Sequence, residues 1–119
     1  MTFLVVEDNL NMQKTIERMI LRYFRNGIQS IAFCEDGDRA LELYKTCKPD
    51  WVLMDIQLKS TDGLMATRNI LMTDPEAKIV IVTQFTDEPY RVAARNVGAF
   101  GFIQKDNLYE LIDVLDANG

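Results

Sequence analysis

The chain of 119 residues contains no histidine, and that one absence removes several chemistries. A Ser-His-Asp triad, a histidine-ligated zinc site and a phosphohistidine carrier all require an imidazole. Cysteine is scarce. Cys34 and Cys47 are spaced for neither a metal site nor a redox pair. Both lie in segments that read as packed, so buried thiols in a reducing cytoplasm are expected. No apolar run approaches the ~20 residues of a membrane span. The opening Met-Thr-Phe-Leu-Val-Val turns acidic at once, unlike a signal peptide. Positive charge is also in short supply: 13 basic against 18 acidic residues, a net charge of −5. That balance argues against this domain holding nucleic acid or an anionic membrane by itself.

What is present is a pattern repeated five times: a short apolar run, a polar turn, then apolar residues at helical spacing. The runs 3–6, 28–33, 51–54, 78–82 and 100–103 read as strands. Helical segments follow each, one carrying Met12, Ile16, Met19 and Ile20 and stopped at Asn26-Gly27. The next opens at Asp36-Gly37 with Ala40, Leu41 and Tyr44 inward, and Gly63 begins a third that Asp74-Pro75 breaks. Residues 87–97 form a fourth, closed by Gly98, and 108–115 a fifth. The methionines, Phe33, Tyr44 and Phe102 sit at core spacing. Strands alternating with helices predict an α/β fold, a single (βα)5 doubly wound domain over 1–119 with a parallel sheet covered on both faces.

In such sheets ligands bind beyond the carboxyl ends of the strands. Those ends supply Glu7-Asp8, Cys34-Glu35, Asp55, Thr83 and Lys105. Each residue taken alone has a bland reading as a cap, a turn or a solvated surface group. Glu7, Asp8 and Asp55 with Thr83 and Lys105 place three carboxylates, a hydroxyl and an ammonium on one edge. Carboxylates that close repel by roughly 4 kcal/mol per pair at 4 Å and an effective dielectric of 20. A proton or a hard cation must answer that charge, and Mg2+ suits an all-oxygen site that leaves room for a phosphoryl group.

Over essentially its full length the sequence resembles the receiver domains of bacterial two-component response regulators, leaning toward the nitrate-regulator type. The matching residues are Phe3-Leu4-Val5-Val6-Glu7-Asp8, Met54-Asp55, Asp62-Gly63, Val82-Thr83, and Gly98-Ala99 running through Gly101-Phe102-Ile103-Gln104 to Lys105. The resemblance implies a five-stranded sheet of order 2-1-3-4-5. It implies that Asp55 accepts a phosphoryl group and that Glu7, Asp8, Asp55 and the Gln57 carbonyl hold Mg2+. It makes Thr83 and Lys105 the contacts for phosphoryl oxygens, and Thr83 with Phe102 the switch. The expected partners are a sensor histidine kinase or phosphotransfer domain, and an output domain or second copy on the face of helix 4, strand 5 and helix 5. No membrane or direct nucleic-acid partner is expected. The only catalysis expected is Mg-dependent self-phosphorylation and slow self-dephosphorylation.

Three positions depart from the family pattern. Lys59 replaces a proline in the loop after Asp55, Gln84 a small residue after Thr83, and Asp106 a proline after Lys105. Two enzyme-like or carrier readings fit less well. A phosphatase working through an aspartyl phosphate wants a second acid two residues after the nucleophile, where Gln57 stands. A flavin carrier wants a Ser/Thr/Gly-rich loop after the first strand, where Glu7-Asp8 would repel a phosphate. A phosphorylation-independent docking module of the same fold remains as the alternative.

Overall fold

The computed structural model describes residues 1–58 and 61–118; Lys59 lies outside them. Five parallel strands, β1 (Thr2–Val6), β2 (Ser30–Cys34), β3 (Trp51–Met54), β4 (Ile79–Thr83) and β5 (Gly101–Gln104), pair in the order β2-β1-β3-β4-β5. Five helices connect and flank them: α1 (Leu10–Tyr23), α2 (Ala40–Cys47), α3 (Gly63–Thr73), α4 (Glu88–Val97) and α5 (Tyr109–Asn118). The expected doubly wound α/β fold and strand order are both found.

The burial pattern explains the strand order. β3 and β4 are buried at every residue and β1 at all but its first, which suits strands covered on both faces. β2 and β5, with half-exposed positions, occupy the edges. Alternate strand residues feed two cores. On one face Leu4, Val6, Val52, Met54, Ile79 and Ile81 meet α2, α3 and α4; on the other Phe3, Val5, Trp51, Leu53, Val80 and Val82 meet α1 and α5. The two helical layers use different side chains. The three-helix layer buries one alanine per helix, Ala40, Ala66 and Ala94, with Ile70 as its one fully buried large helical chain, whereas the two-helix layer buries Ile16, Ile20, Leu111 and Leu115. Three helices crowding one sheet face must approach closely, and small side chains permit it; two helices leave gaps that branched chains fill. Each of those large chains contributes roughly 1.5–3 kcal/mol by burial.

Caps set the helix starts. Asn9 Oδ1 accepts the Met12 amide at 2.9 Å, and Asp62 Oδ1 the Leu64 amide at 2.8 Å. Gly98 closes α4 with φ 98°, the left-handed conformation that glycine adopts without strain. Lys48 closes α2 in the same region, φ 46°, without that freedom.

Several boundaries and burials differ from expectation. α1 ends at Tyr23, short of Asn26-Gly27, because Phe24 already caps it through its amide to the Ile20 carbonyl. β2 begins at Ser30 and β5 at Gly101, each later than its apolar run suggested. A short 3-10 turn, residues 37–39, precedes α2, and another, 105–107, precedes α5. Cys34 is buried as expected but Cys47 is only half-buried. Met65 and Met72 are exposed rather than packed, at 49% and 72%, because they fall on the outer side of α3.

Candidate functional site

The sheet itself aims the acidic residues. Its ladders run one residue past the strands: the Glu7 amide donates to the Cys34 carbonyl at 2.8 Å, and the Asp55 amide to the Val6 carbonyl at 3.0 Å. Glu7 and Asp55 therefore leave adjacent strands at one edge with their backbones fixed. Glu7, Asp8 and Asp55 each offer a carboxylate oxygen within 4.8 Å of the others. Lys105, just past β5, reaches back across the edge; its Nζ lies 2.8 Å from Glu7 Oε1 and 3.0 Å from Asp55 Oδ2. One ammonium thus faces three carboxylates.

Burial sharpens the imbalance. Glu7 is 2% and Asp55 6% exposed. Removal from water pushes the Glu7 carboxyl above its usual range; the Lys105 hydrogen bond and the Asn9 amide pull the other way, and the Asp55 charge adds to the rise. Burial alone would lower the Lys105 ammonium, but its hydrogen bonds to Glu7 and Asp55 and their charges outweigh it, and its pKa is raised. Asp55 Oδ1 is buried with no hydrogen-bond partner. An anionic oxygen left so, beside two further carboxylates, is costly unless a cation meets it. The donor set is all oxygen, and these residues fit a hard divalent ion such as Mg2+.

The site opens into a cleft of about 310 Å3 lined by Asp8, Asn9, Asp55, Gln57, Leu58, Gln84, Phe85 and Lys105. Gln57 thereby lines the same cleft as Asp55. Among the described residues no hydrogen bond joins Thr83 to Glu7, Asp8 or Asp55. Extending the register Met54↔Ile81 by one residue sets Val82 opposite Asp55, so Thr83 lies one residue further along. It is fully buried, and its hydroxyl accepts the Phe85 amide at 3.2 Å. Phe102 stands away from the cleft, half-buried against the three-helix core, with the Arg91 guanidinium 4.8 Å from its ring centroid. Lys105 opens the second 3-10 turn.

Two supporting residues escaped the sequence reading. Gln13, 9% exposed on the inner stripe of α1, donates from Nε2 to the Glu7 carbonyl at 2.6 Å and anchors the acidic turn. A lone amide among apolar residues at helical spacing was the available signal. Gly63 was noted as a helix start, but its role is closer to the chemistry. The first turn of α3 lies on the Asp55 backbone, and the Gly63 amide donates to the Ile56 carbonyl at 2.6 Å. A Cβ at this position would fall 1.8 Å from the Asp55 carbonyl oxygen, so only glycine fits.

A 2-1-3-4-5 parallel sheet with an acidic triad and a lysine at its carboxyl edge defines a class of signalling domain. Residues 3–116 match the family model of the response regulator receiver domain. The chain belongs to that family, the receiver domains of two-component systems. It is 33% identical over 113 residues to the response regulator GacA of Pseudomonas aeruginosa, covering 94% of this chain and 52% of that protein. It is 36% identical over 104 residues to the oxygen regulatory protein NreC of Staphylococcus aureus, covering 87% and 48%. The chain spans about half the length of the curated relatives it matches. Among solved structures, a LuxR-family two-component response regulator from Aurantimonas superposes with a TM-score of 0.89 at 31% identity, covering 98% of this chain and 82% of the other. The BeF3-activated receiver domain of Klebsiella pneumoniae RstA gives 0.82 at 26%, covering 98% and 97%. Among the described residues no helix is long and apolar enough to cross a membrane.

Proposed function

We propose that this domain is a phosphorylation-controlled switch in which Asp55 is the phosphoryl acceptor. The observation that carries the reading is the Asp55 carboxylate itself, gripped on Oδ2 by Lys105 and unsatisfied on Oδ1 at the floor of an open cleft. A carboxylate oxygen attacks phosphorus, an O–P bond forms, and the P–N bond of a phosphohistidine donor breaks, the donor imidazole leaving as the neutral base after proton uptake. With no histidine in the chain, the donor is a separate sensor kinase, a phosphotransfer domain or a small acyl phosphate. Glu7, Asp8, Asp55 and the Gln57 carbonyl would hold Mg2+, which supplies positive charge against the phosphoryl oxygens. Lys105 keeps its ammonium charged and meets another of those oxygens. Thr83 carries a hydroxyl proton toward the product, at the expense of its contact with the Phe85 amide.

The output follows from Phe102. Movement of Thr83 frees space that Phe102 fills, displacing Arg91 from its ring and altering the α4–β5–α5 face, where Arg95, Phe100 and Tyr109 are exposed. That face is where a kinase-controlled output domain or other partner would sense the change. In this reading the domain acts in the cytoplasm and catalyses only its own phosphorylation and slow dephosphorylation. Mass spectrometry after incubation with acetyl phosphate and Mg2+ tests it. One added phosphoryl group, absent in Asp55→Asn, is expected; no adduct would leave only a docking module, and an adduct that survives Asp55→Asn would put the acceptor at another residue.

A further inference from the structure

The three carboxylates of the cleft are not held alike. Glu7 uses both its oxygens, Oε1 against the Lys105 ammonium and Oε2 accepting the Asn9 amide at 3.0 Å. Asp55 is tied to Lys105 through Oδ2, and its own amide is locked into the ladder of β1. Asp8 has neither support. It lies past the last ladder bond and ahead of α1, and among the described residues its side chain accepts no hydrogen bond and pairs with no cation. The position of its carboxylate is therefore set by the backbone of residues 7–9.

A chain of hydrogen bonds holds that turn. Glu7 Oε2 accepts the Asn9 amide, Asn9 Oδ1 accepts the Met12 amide, the Asn9 carbonyl accepts the Gln13 amide at 3.0 Å, and Gln13 Nε2 donates to the Glu7 carbonyl at 2.6 Å. The last of these returns from within α1 to the end of β1 and closes residues 7–13 into a ring. Asn9 is exposed, and water can replace the bond its side chain makes. Gln13 is only 9% exposed, and a Glu7 carbonyl that lost it would stay unsatisfied in a buried place. We infer that Gln13 is a positioning residue for Asp8, and that by fixing the acidic turn in advance it sets how tightly the cleft holds Mg2+. The inference rests on the reading of Glu7, Asp8 and Asp55 as ligands of that ion. Gln13 does not itself line the cleft. It acts by keeping Asp8 in place, so that binding requires little reordering of the turn.

Gln13→Met tests this, since it removes the donor, keeps the length of the side chain and leaves an apolar group on the buried stripe of α1. Mg2+ titrations followed by NMR shifts of the cleft amides should show a dissociation constant raised roughly tenfold, the lower end for a residue behind a metal ligand. Gln13→Leu, a second donor-free variant of different shape, should shift it equally. In the metal-free protein both variants should exchange the Asp8 and Asn9 amides with solvent faster than wild type. With acetyl phosphate, the Mg2+ concentration for half-maximal rate should rise by the same factor, while the rate at saturating Mg2+ stays within about twofold of wild type. Ile20→Val takes a buried methyl from the same helix and is the structural control: it lowers stability but should leave the Mg2+ constant and those amides unchanged. A wild type that binds no Mg2+ overturns the ligand assignment, and the inference with it. A wild type that binds while both Gln13 variants bind equally well overturns the inference alone. So does an equal weakening by Ile20→Val, which would make the effect one of helix stability.

Discussion

Gly63 is the position where one methyl group should do most harm. A Cβ there would meet the Asp55 carbonyl oxygen at 1.8 Å, its carbon at 2.7 Å and Ile56 Cα at 2.8 Å, all backbone atoms that no rotamer change can move. Real Cβ contacts essentially never fall below 3.0 Å, so α3 and the end of β3 must part by about 1.2 Å, the difference between 3.0 and 1.8 Å. That separation breaks the 2.6 Å bond from the Gly63 amide to the Ile56 carbonyl, costing about 1 kcal/mol. Overpacking against a fixed backbone costs about 3 kcal/mol. Alanine's better helix propensity returns about 1 kcal/mol. The net loss for Gly63→Ala is about 3 kcal/mol, or roughly 10 °C in Tm at this chain length. The displaced Asp55 should also slow phosphorylation by acetyl phosphate by more than the unfolded fraction explains. Gly27→Ala is the control. Its nearest neighbour would be the Phe24 carbonyl at 3.4 Å, and its φ is not positive, so stability should stay within about 0.5 kcal/mol. A Gly63→Ala protein that melts with wild type and accepts phosphate at the wild-type rate would refute the reasoning.

Asp8→Ala should abolish Mg-dependent phosphorylation while leaving the fold intact or slightly more stable, since one of three mutually repelling carboxylates is gone; phosphate uptake with unchanged Mg dependence would reject the ligand assignment. Tyr44 donates to Asp74 Oδ2 at 2.6 Å, and burial, then that bond, push its phenol from 10.0 to about 12. Its stabilising effect is fully present below pH 10 and lost as pH rises through about 12. Chemical denaturation should show about 1 kcal/mol lost across that window after allowance for solvent screening, and none of it in Tyr44→Phe. Lys48→Gly should stabilise by about 0.5–1 kcal/mol, relief of left-handed strain exceeding the extra chain entropy of glycine, as read from denaturation midpoints.

Much of this architecture was legible because the signals were local. Four-residue apolar runs such as Trp51–Met54 can only be buried strands when helical periods separate them, and the placement of Glu7, Asp55 and Lys105 at strand ends followed directly. The boundaries were less legible where a cap competes with a stop signal: Phe24 ends α1 before Asn26-Gly27 is reached. Met65 and Met72 misled because methionine is apolar wherever it stands, and only the packed helix shows which side faces water. Gln13 and the Asp55–Gly63 contact depend on how α1 and α3 sit on the sheet, a tertiary fact that no spacing along the chain encodes.

The unequal helical layers bear on how this domain can change over generations. Ala40, Ala66 and Ala94 are buried in the core between the sheet and α2, α3 and α4, and a larger residue at any of them must displace packed neighbours. Ile16, Ile20, Leu111 and Leu115 fill space between only two helices, and another branched chain can be taken up by neighbours that shift a little. Inherited substitutions should therefore accumulate unevenly, with the α1–α5 side free to drift in shape and charge. The α2–α4 side, whose third helix starts on the Asp55 backbone, should hold its small residues nearly fixed. A lineage could then retune what its α1–α5 layer meets without disturbing the carboxylate at the end of β3.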